Sequence, residues 1–493
     1  MPSTAILWFR RDLRLSDNPA LMAALDGCER LLPVYLHAPD EEAPWSPGAA
    51  SNWWLHHSLQ ALDACLRERG SRLFILRGDS LACLQALITA TSARAVFWNR
   101  CYEPARIARD SFIKQQLRAQ GIRCESHNGG LLFEPWEIKT GADQPFKVFS
   151  AFWRRATARL AEIPAPSPTP EVLPPLPEAI ASGRTQLSKS LAEQPLERLD
   201  LLPRISWDAA FPTTWQPGAA GAQARLRRFL DQAAHDYAET REQPGVEGSS
   251  KLSPHLHFGE IGPREVLKAT NATVGDHEAF VRELGWREFS VHLLFHFPQT
   301  AEVPLNPLFA DFPWRDPTPP ELLRAWQQGQ TGIPLIDAGM RELWHSGWMH
   351  NRVRMIVASF LTKNLRIPWQ TGARWFWDTL VDANLANNTQ GWQWTAGCGA
   401  DAAPYFRIFN PVRQGERFDP EGVYVRHWCP ELTRLPKRYL HAPWTAPVAI
   451  LQQSGVELGI TYPRPIIDLA DTRREALAFW QQLRDTDSRA NFA

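Results

Sequence analysis

The stretch AILWF at 5–9 is followed by LLPVYL at 31–36, RLFILRG at 72–78 and AVFWN at 95–99. Each is a short apolar run that lacks the strict alternation of a half-exposed strand, so each reads as a strand buried on both faces. Segments near 51–70, 80–90 and 104–120 read as helices between them. Strands alternating with helices build a parallel sheet covered on both sides. This predicts a Rossmann-like α/β domain over residues 1–136, ending near Trp136. No GxGxxG follows the first strand, which argues against an ordinary dinucleotide site there.

The next segment is different in kind. IPAPSPTPEVLPPLPE (163–178) is too rich in proline for helix or sheet and reads as an extended connector, within a linker assigned to 137–204. From about residue 222 the apolar residues recur with helical period, with Pro and Gly marking the loops, which predicts an all-α domain over 205–493. A chain of 493 residues exceeds what one hydrophobic core holds, in keeping with two domains. There is no internal repeat.

Composition narrows the class. Charged residues make up 22% and hydrophobic residues 44%, as in a soluble globular protein. Arg10, Arg11 and Asp12 interrupt the first apolar run, which argues against a secretory signal, and no apolar run reaches the roughly 18 residues of a membrane span. The seven cysteines include no CxxC pair, which argues against a zinc site or a disulfide framework and suggests a reduced, cytoplasmic setting. The net charge is zero, yet residues 341–366 carry five Lys/Arg against one Glu, so a basic patch is compatible with a neutral protein. The 22 tryptophans serve well as core residues, but core filling does not explain Trp in polar contexts such as GWQW and GWMHNR.

Four segments of the helical half carry candidate chemistry. In VEGSSKLSPHLHFGEIGPRE (246–265), small hydroxyl residues and Lys251 beside Gly248 can offer backbone N–H groups, hydroxyls and a cation to a pyrophosphate; a solvated capping turn is the alternative. In FVRELGWREF, Glu283, Trp286 and Arg287 share one helix face, as do Asn351, Arg354 and Met355 in GWMHNRVRM. In VDANLANNTQGWQW, Asn384, Asn388 and Trp392 recur every fourth residue, with Trp394 two further on. Each face alone could be an ordinary surface ion pair. Three polar and aromatic faces in one helical domain suit the lining of a deep pocket.

WFRRDLRLSDNPAL (8–21), YAETREQPGVEGSSKLS (237–253), ELGWREF (283–289), TGIPLIDAGMRELWHSGWMHNRVRM (331–355) and DAAPYFRIFNP (401–411) closely resemble the photolyase/cryptochrome family, in order and spacing, from residue 6 to about 468. The resemblance implies FAD folded in the helical domain. Tyr237 with Ser249, Ser250, Lys251, Leu252 and Ser253 would hold its ribityl and phosphate groups, and Arg287, Asn351, Arg354, Asp382, Ala383, Asn384 and Asn388 would line the rest, Asn388 facing flavin N5. Arg354 and Asp382 can pair beside the ring. The family usually carries Asp where this chain has Asn384; an amide still accepts from flavin N3–H, and loss of the carboxylate would ease flavin reduction.

The same resemblance implies UV-damaged DNA as partner, a monomeric protein, and no membrane. Trp286 and Trp394 are similar to the family's two stacking tryptophans, Glu283 to the residue that binds the thymine carbonyl edge, Met355 and Asn351 to lesion contacts, and Arg241 and Arg352 to phosphate contacts around the flipped nucleotides. Trp392, Trp369 and Trp314 resemble the electron relay to the flavin, Trp314 only if two extra residues follow it.

Three functions compete on this basis: light-driven repair of cyclobutane pyrimidine dimers, a cryptochrome-like blue-light receptor with a signalling partner, and a flavin-binding redox or structural protein. Family members that repair (6-4) lesions carry histidines where this chain has Asn351 and Met355, and plant cryptochromes typically lose the stacking tryptophans and replace the Asn near N5 by Asp. Retention of Trp286, Trp394 and Asn388 favours dimer repair, although ELGWREF and FPWRD read closer to the branch shared by plant cryptochromes and related bacterial photolyases. That branch implies methenyltetrahydrofolate as a second, antenna pigment. Where some members use a Glu downstream of the YE pair, this chain has Arg106.

Overall fold

The computed structural model describes residues 3–183, 192–275, 277–405 and 407–490. Five parallel strands, β1 (Thr4–Phe9), β2 (Arg30–His37), β3 (Phe74–Arg77), β4 (Ala95–Asn99) and β5 (Arg123–His127), form one sheet in the order β3-β2-β1-β4-β5. Parallel neighbours need crossovers, which α1 (Pro19–Leu25), α2 (Ala49–Arg67), α3 (Ser80–Thr91) and α4 (Pro104–Ala119) provide. Asn18 and Asp79 start α1 and α3 by accepting from the backbone N–H of Leu21 and Ala82.

The period of two along β1 explains its unbroken apolar run. Ala5, Leu7 and Phe9 pack into one cluster with Trp53, Trp54 and Leu59 of α2. Ile6 and Trp8 pack into another with Leu84 and Leu87 of α3 and Ile113 and Leu117 of α4. Ile6 sits opposite Leu32 on one side and Val96 on the other, so β1 is the central strand. β5 was not expected from the sequence: RCESH is an edge strand with only Cys124 buried, and it lacks the apolar run that marks its neighbours.

Strand order reverses between β1 and β4, the position where doubly wound sheets open a crevice. Buried arginines stand there with partners of their own: Arg10 bonds Asp110 and the carbonyl of Asn99, and Arg106 bonds Glu42 at 2.6 Å.

The proline-rich stretch runs extended along the α/β domain. Its carbonyls accept where its prolines cannot donate: Pro170 O from Arg69 and Leu176 O from Arg30, both from side chains. Residues 137–204 are nevertheless more than a connector. They contain α5 (Phe149–Thr157), whose Phe149, Phe152 and Ala156 are buried against Leu284 and Phe289 of the helical domain. The apolar spacing of FSAFWRRAT carries this helix, and the proline content of the following residues masked it.

The helical domain is held by a large core that includes Trp326, Leu343, Val357, Trp369 and Trp392. The helices that matter below are α6 (Tyr237–Thr240), α7 (Ser253–Phe258), α8 (Glu278–His296), α9 (Asn351–Ser359), α10 (Trp369–Thr379), α11 (Leu385–Ala396) and α12 (Leu469–Ala490). Buried polar groups join the two domains. Glu260 accepts from Trp54 Nε1 at 3.0 Å and from the backbone of Gly218 at 2.6 Å, and Arg14 donates to the carbonyls of Gly129 and Gly259. Gly259 has φ +65°, and a Cβ there would lie 2.0 Å from Arg11 O, so the seam closes only around glycine. Among the described residues, no helix is long and apolar enough to cross a membrane.

Candidate functional site

One cavity of about 2110 Å³ opens in the helical domain. That is beyond the 300–1,000 Å³ or so of a single small-molecule pocket, and it leaves room for a large cofactor and part of a second molecule. Tyr237, Ser250, Leu252 and Ser253 lie on its wall, as do Arg287, Asn351 and Arg354. Asp382, Ala383, Asn384 and Asn388 complete that side. Arg241, Glu283, Trp286, Arg352, Met355, Trp392 and Trp394 line the same space. Residues from α6 to α11 that are far apart in the chain thus converge on one surface.

A partly buried ion pair organises the deep wall. Arg354 meets Asp382 through both carboxylate oxygens, at 3.1 and 2.8 Å, while its Nε donates to Met349 O. Ser253, at the start of α7, donates its hydroxyl to the same carboxylate at 2.6 Å, and Trp348 Nε1 lies 3.4 Å from that hydroxyl. The two-point contact with the carboxylate fixes the guanidinium plane. Arg287 is paired with Glu288 at 3.3 Å, and Glu288 also accepts the backbone N–H groups of Leu132 and Phe133. Burial pushes the Glu288 carboxyl up to about 7, against the pull of Arg287.

Asn384 has a local structural task as well. It is the N-cap of α11, its Oδ1 accepting from Asn387 N at 3.0 Å, with its amide nitrogen 3.4 Å from Nδ1 of the buried His257. Asn and Asp cap equally well, so helix capping alone permits either residue here. Asn388 donates to Ala373 O at 2.9 Å, which fixes its amide on the face of α11 toward the cavity.

The glycine-serine segment reaches the cavity only in part. Ser249 and Lys251 are not on the wall. Lys251 has φ +51°, and its ammonium turns back over the Trp348 ring (5.3 Å) and toward Glu247 (3.6 Å). In this arrangement the Lys251 cation is occupied by the Trp348 ring and Glu247.

At the mouth, charge is paired. Arg241 donates to Glu283 at 2.8 Å, and Arg352 is held by Glu242 while it lies over the Phe418 ring. Burial raises the Glu283 pKa and Arg241 opposes the rise. Desolvation and the nearby Arg241 and Arg417 bring Arg352 down to about 10. Trp286 is packed face to face with Phe149 of α5, ring centroids 3.6 Å apart and planes within 9°. The sequence pattern does not single out Phe149, because its helix lies within the stretch assigned to the linker.

Trp392 is buried, its ring 5.0 Å from Phe376 and 6.3 Å from Trp326. Trp369 opens α10 inside the same buried cluster, away from the cavity wall, and Trp314 packs at the edge of that cluster against Phe312. The helices carrying Trp369 and Trp392 meet at Gly372, where a Cβ would lie 2.1 Å from the Trp392 ring. The loop after Trp314 is tied to the approach to α10, Arg315 N donating to Arg366 O at 2.7 Å.

Comparison with known proteins is consistent along the whole chain. Residues 5–172 match the model of the DNA photolyase family, and residues 280–482 match the FAD binding domain of DNA photolyase. The chain is 45% identical to a deoxyribodipyrimidine photo-lyase of Agrobacterium fabrum over 98% of both chains. It is 40% identical to cryptochrome-2 of Arabidopsis thaliana over 97% of this chain and 78% of that one. The crystal structure of a bacterial class III photolyase from Agrobacterium tumefaciens superposes with a TM-score of 0.91 at 44% identity, covering 98% of each chain.

Proposed function

The chain belongs to the photolyase/cryptochrome family, and from that premise we propose that it is a deoxyribodipyrimidine photo-lyase, which splits cyclobutane pyrimidine dimers in UV-damaged DNA under blue light. The observation that carries this reading is the union, in one cavity, of the Arg354–Asp382 wall with an aromatic and acidic mouth formed by Trp286, Trp394 and Glu283.

The deep wall fits FAD. The Arg354–Asp382 pair, the amides of Asn384 and Asn388 and the indole of Trp348 offer donors and acceptors to the polar edges of a flavin, and the volume accommodates a dinucleotide. Reduced FAD bound there supplies, on excitation, the electron that opens the cyclobutane ring. The protein does the rest. Trp286 and Trp394 offer stacking faces to a flipped dimer, each stacked base returning about 1–3 kcal/mol against the few kcal/mol that flipping costs. Glu283, partly desolvated, holds or shares a proton at a thymine carbonyl. Arg241 and Arg352 exchange their carboxylate partners for DNA phosphates. Trp392, Trp369 and Trp314 would carry electrons through the buried core toward a bound flavin. We assign the antenna role to methenyltetrahydrofolate, on the likeness to the plant-cryptochrome branch; mass analysis of pigment released from the purified protein tests this.

The 40% identity to a plant cryptochrome supports a second reading, a blue-light receptor. Trp286→Ala separates the two. In a photolyase it weakens binding to dimer-containing DNA by about 1–3 kcal/mol and leaves binding to intact DNA unchanged, since that rests on phosphate contacts. A receptor shows no preference for the dimer with or without the indole.

A further inference from the structure

We propose that Phe149 and Asp401 form a clasp that sets the gap between Trp286 and Trp394, and so act as positioning residues for lesion recognition; the inference rests on the photolyase reading of that gap. Trp286 and Trp394 come from α8 and α11, which pack against each other; that packing places the two backbones, but a dimer of fixed width also requires the two ring planes at a fixed separation.

The support of Trp286 comes from α5. Phe149 covers one face of the Trp286 indole at 3.6 Å, and Trp153, parallel to Phe149 within 9° at 6.2 Å, continues the stack. Gly285, next to Trp286, makes room for this helix: a Cβ there would lie 2.4 Å from the Trp153 ring. The buried Phe149 ring thus fixes the plane of Trp286 and leaves the opposite face to the cavity.

The support of Trp394 comes from the turn after α11. Cys398 and Gly399 donate their N–H groups to Gln393 O, and Ala403 donates to Trp394 O at 3.2 Å. Between them Asp401 adopts φ +48°, a left-handed conformation that Asp tolerates better than most residues.

A hydrogen bond ties the turn after α11 to α5. Asp401 Oδ2 accepts the backbone N–H of Phe149 at 3.1 Å. Val148, the N-cap of α5, gives that helix no side-chain cap, so Asp401 caps it from 252 residues away in the chain. A carboxylate at a helix N-terminus also meets a favourable dipole. The path from indole to indole is then Trp286, the Phe149 ring, its N–H, the Asp401 carboxylate, and the turn bonded to Trp394.

The test compares wild type with Asp401→Ala, Asp401→Asn and Phe149→Leu, all as full chains with FAD retained, on dimer-containing and intact oligonucleotides at one salt concentration. Asp401→Ala removes a hydrogen bond to a charged group and weakens dimer binding about tenfold, with intact-DNA binding unchanged. Asp401→Asn keeps an acceptor and recovers most of the loss; Phe149→Leu, if it folds, behaves as Asp401→Ala. Equal losses on both DNAs, or none on either, overturn the clasp. Crystal structures of wild type and Asp401→Ala decide the point independently of repair: the clasp requires a changed Trp286–Trp394 separation in the variant, and an unchanged one rejects it. A wild type that binds both DNAs equally sinks the photolyase reading, and the two structures still judge the clasp.

Discussion

Glu283 and Arg241 hold each other at 2.8 Å at the mouth of the cavity, so neither is free before a substrate arrives. Both roles expected of them begin with the breaking of this pair. Glu283→Gln keeps the hydrogen-bonding shape and removes the charge. Its expected effect is a repair yield per photon that falls more than dimer affinity does, because the released Arg241 gains a phosphate while the shared proton is lost. Parallel measurements of quantum yield and dissociation constant check this.

Asp382 tests the deep wall. Its carboxylate serves Arg354 twice and Ser253 once. Asp382→Ala leaves a partly buried guanidinium without its carboxylate, a change that typically costs about 1–3 kcal/mol. The expected result is a lower unfolding temperature and a protein purified without yellow colour. A variant that retains FAD at the wild-type level would remove the pair from the cofactor site.

Glu288 gives the fold a pH dependence. Its carboxyl is raised from 4.5 to about 7 by burial, so between those values the folded state binds more protons than the unfolded one. Stability from this group is therefore present at low pH and lost as pH rises through about 7. His292, lowered to about 4 by burial, acts in the opposite sense and rises in contribution as pH climbs past its folded value. Glu288→Gln keeps an acceptor for Leu132 and Phe133 and isolates the first effect: relative to wild type it gains stability from about pH 4.5 to 7. Denaturant unfolding at several pH values measures the difference.

Four strands and three of the crossover helices were legible in the sequence because each is a clean period or an unbroken apolar run. β5 was not, since an edge strand such as RCESH needs no apolar run. α5 was hidden beside the prolines, and with it Phe149, the residue that backs Trp286. Most of the candidate site could be read from Glu283, Trp286, Asn351, Arg354, Asn384 and Asn388 at helical spacing, together with the family resemblance. Contacts made across the fold could not: the turn of Lys251 back onto Trp348, the ion pairs that occupy Arg241 and Arg352, and the bond from Asp401 to Phe149 depend on tertiary placement.

Trp392 lies at the cavity wall, with Trp369 behind it in the same buried cluster. Trp392→Phe is expected to slow light-driven flavin reduction while leaving FAD bound. Repair that starts from chemically reduced flavin survives the substitution. Transient absorption on wild type and variant checks the rate; an unchanged rate means that electrons enter by another route.

The central claim is that the aromatic mouth and the FAD wall serve dimer repair. The most direct measurement is dimer loss from an oligonucleotide carrying one cyclobutane dimer, incubated with the purified protein under blue light and in darkness. Loss of the dimer in light alone, with tighter binding to the damaged strand than to its intact counterpart, is the result this account predicts. Equal binding to both strands and an intact dimer after illumination would contradict it and leave the receptor reading in its place.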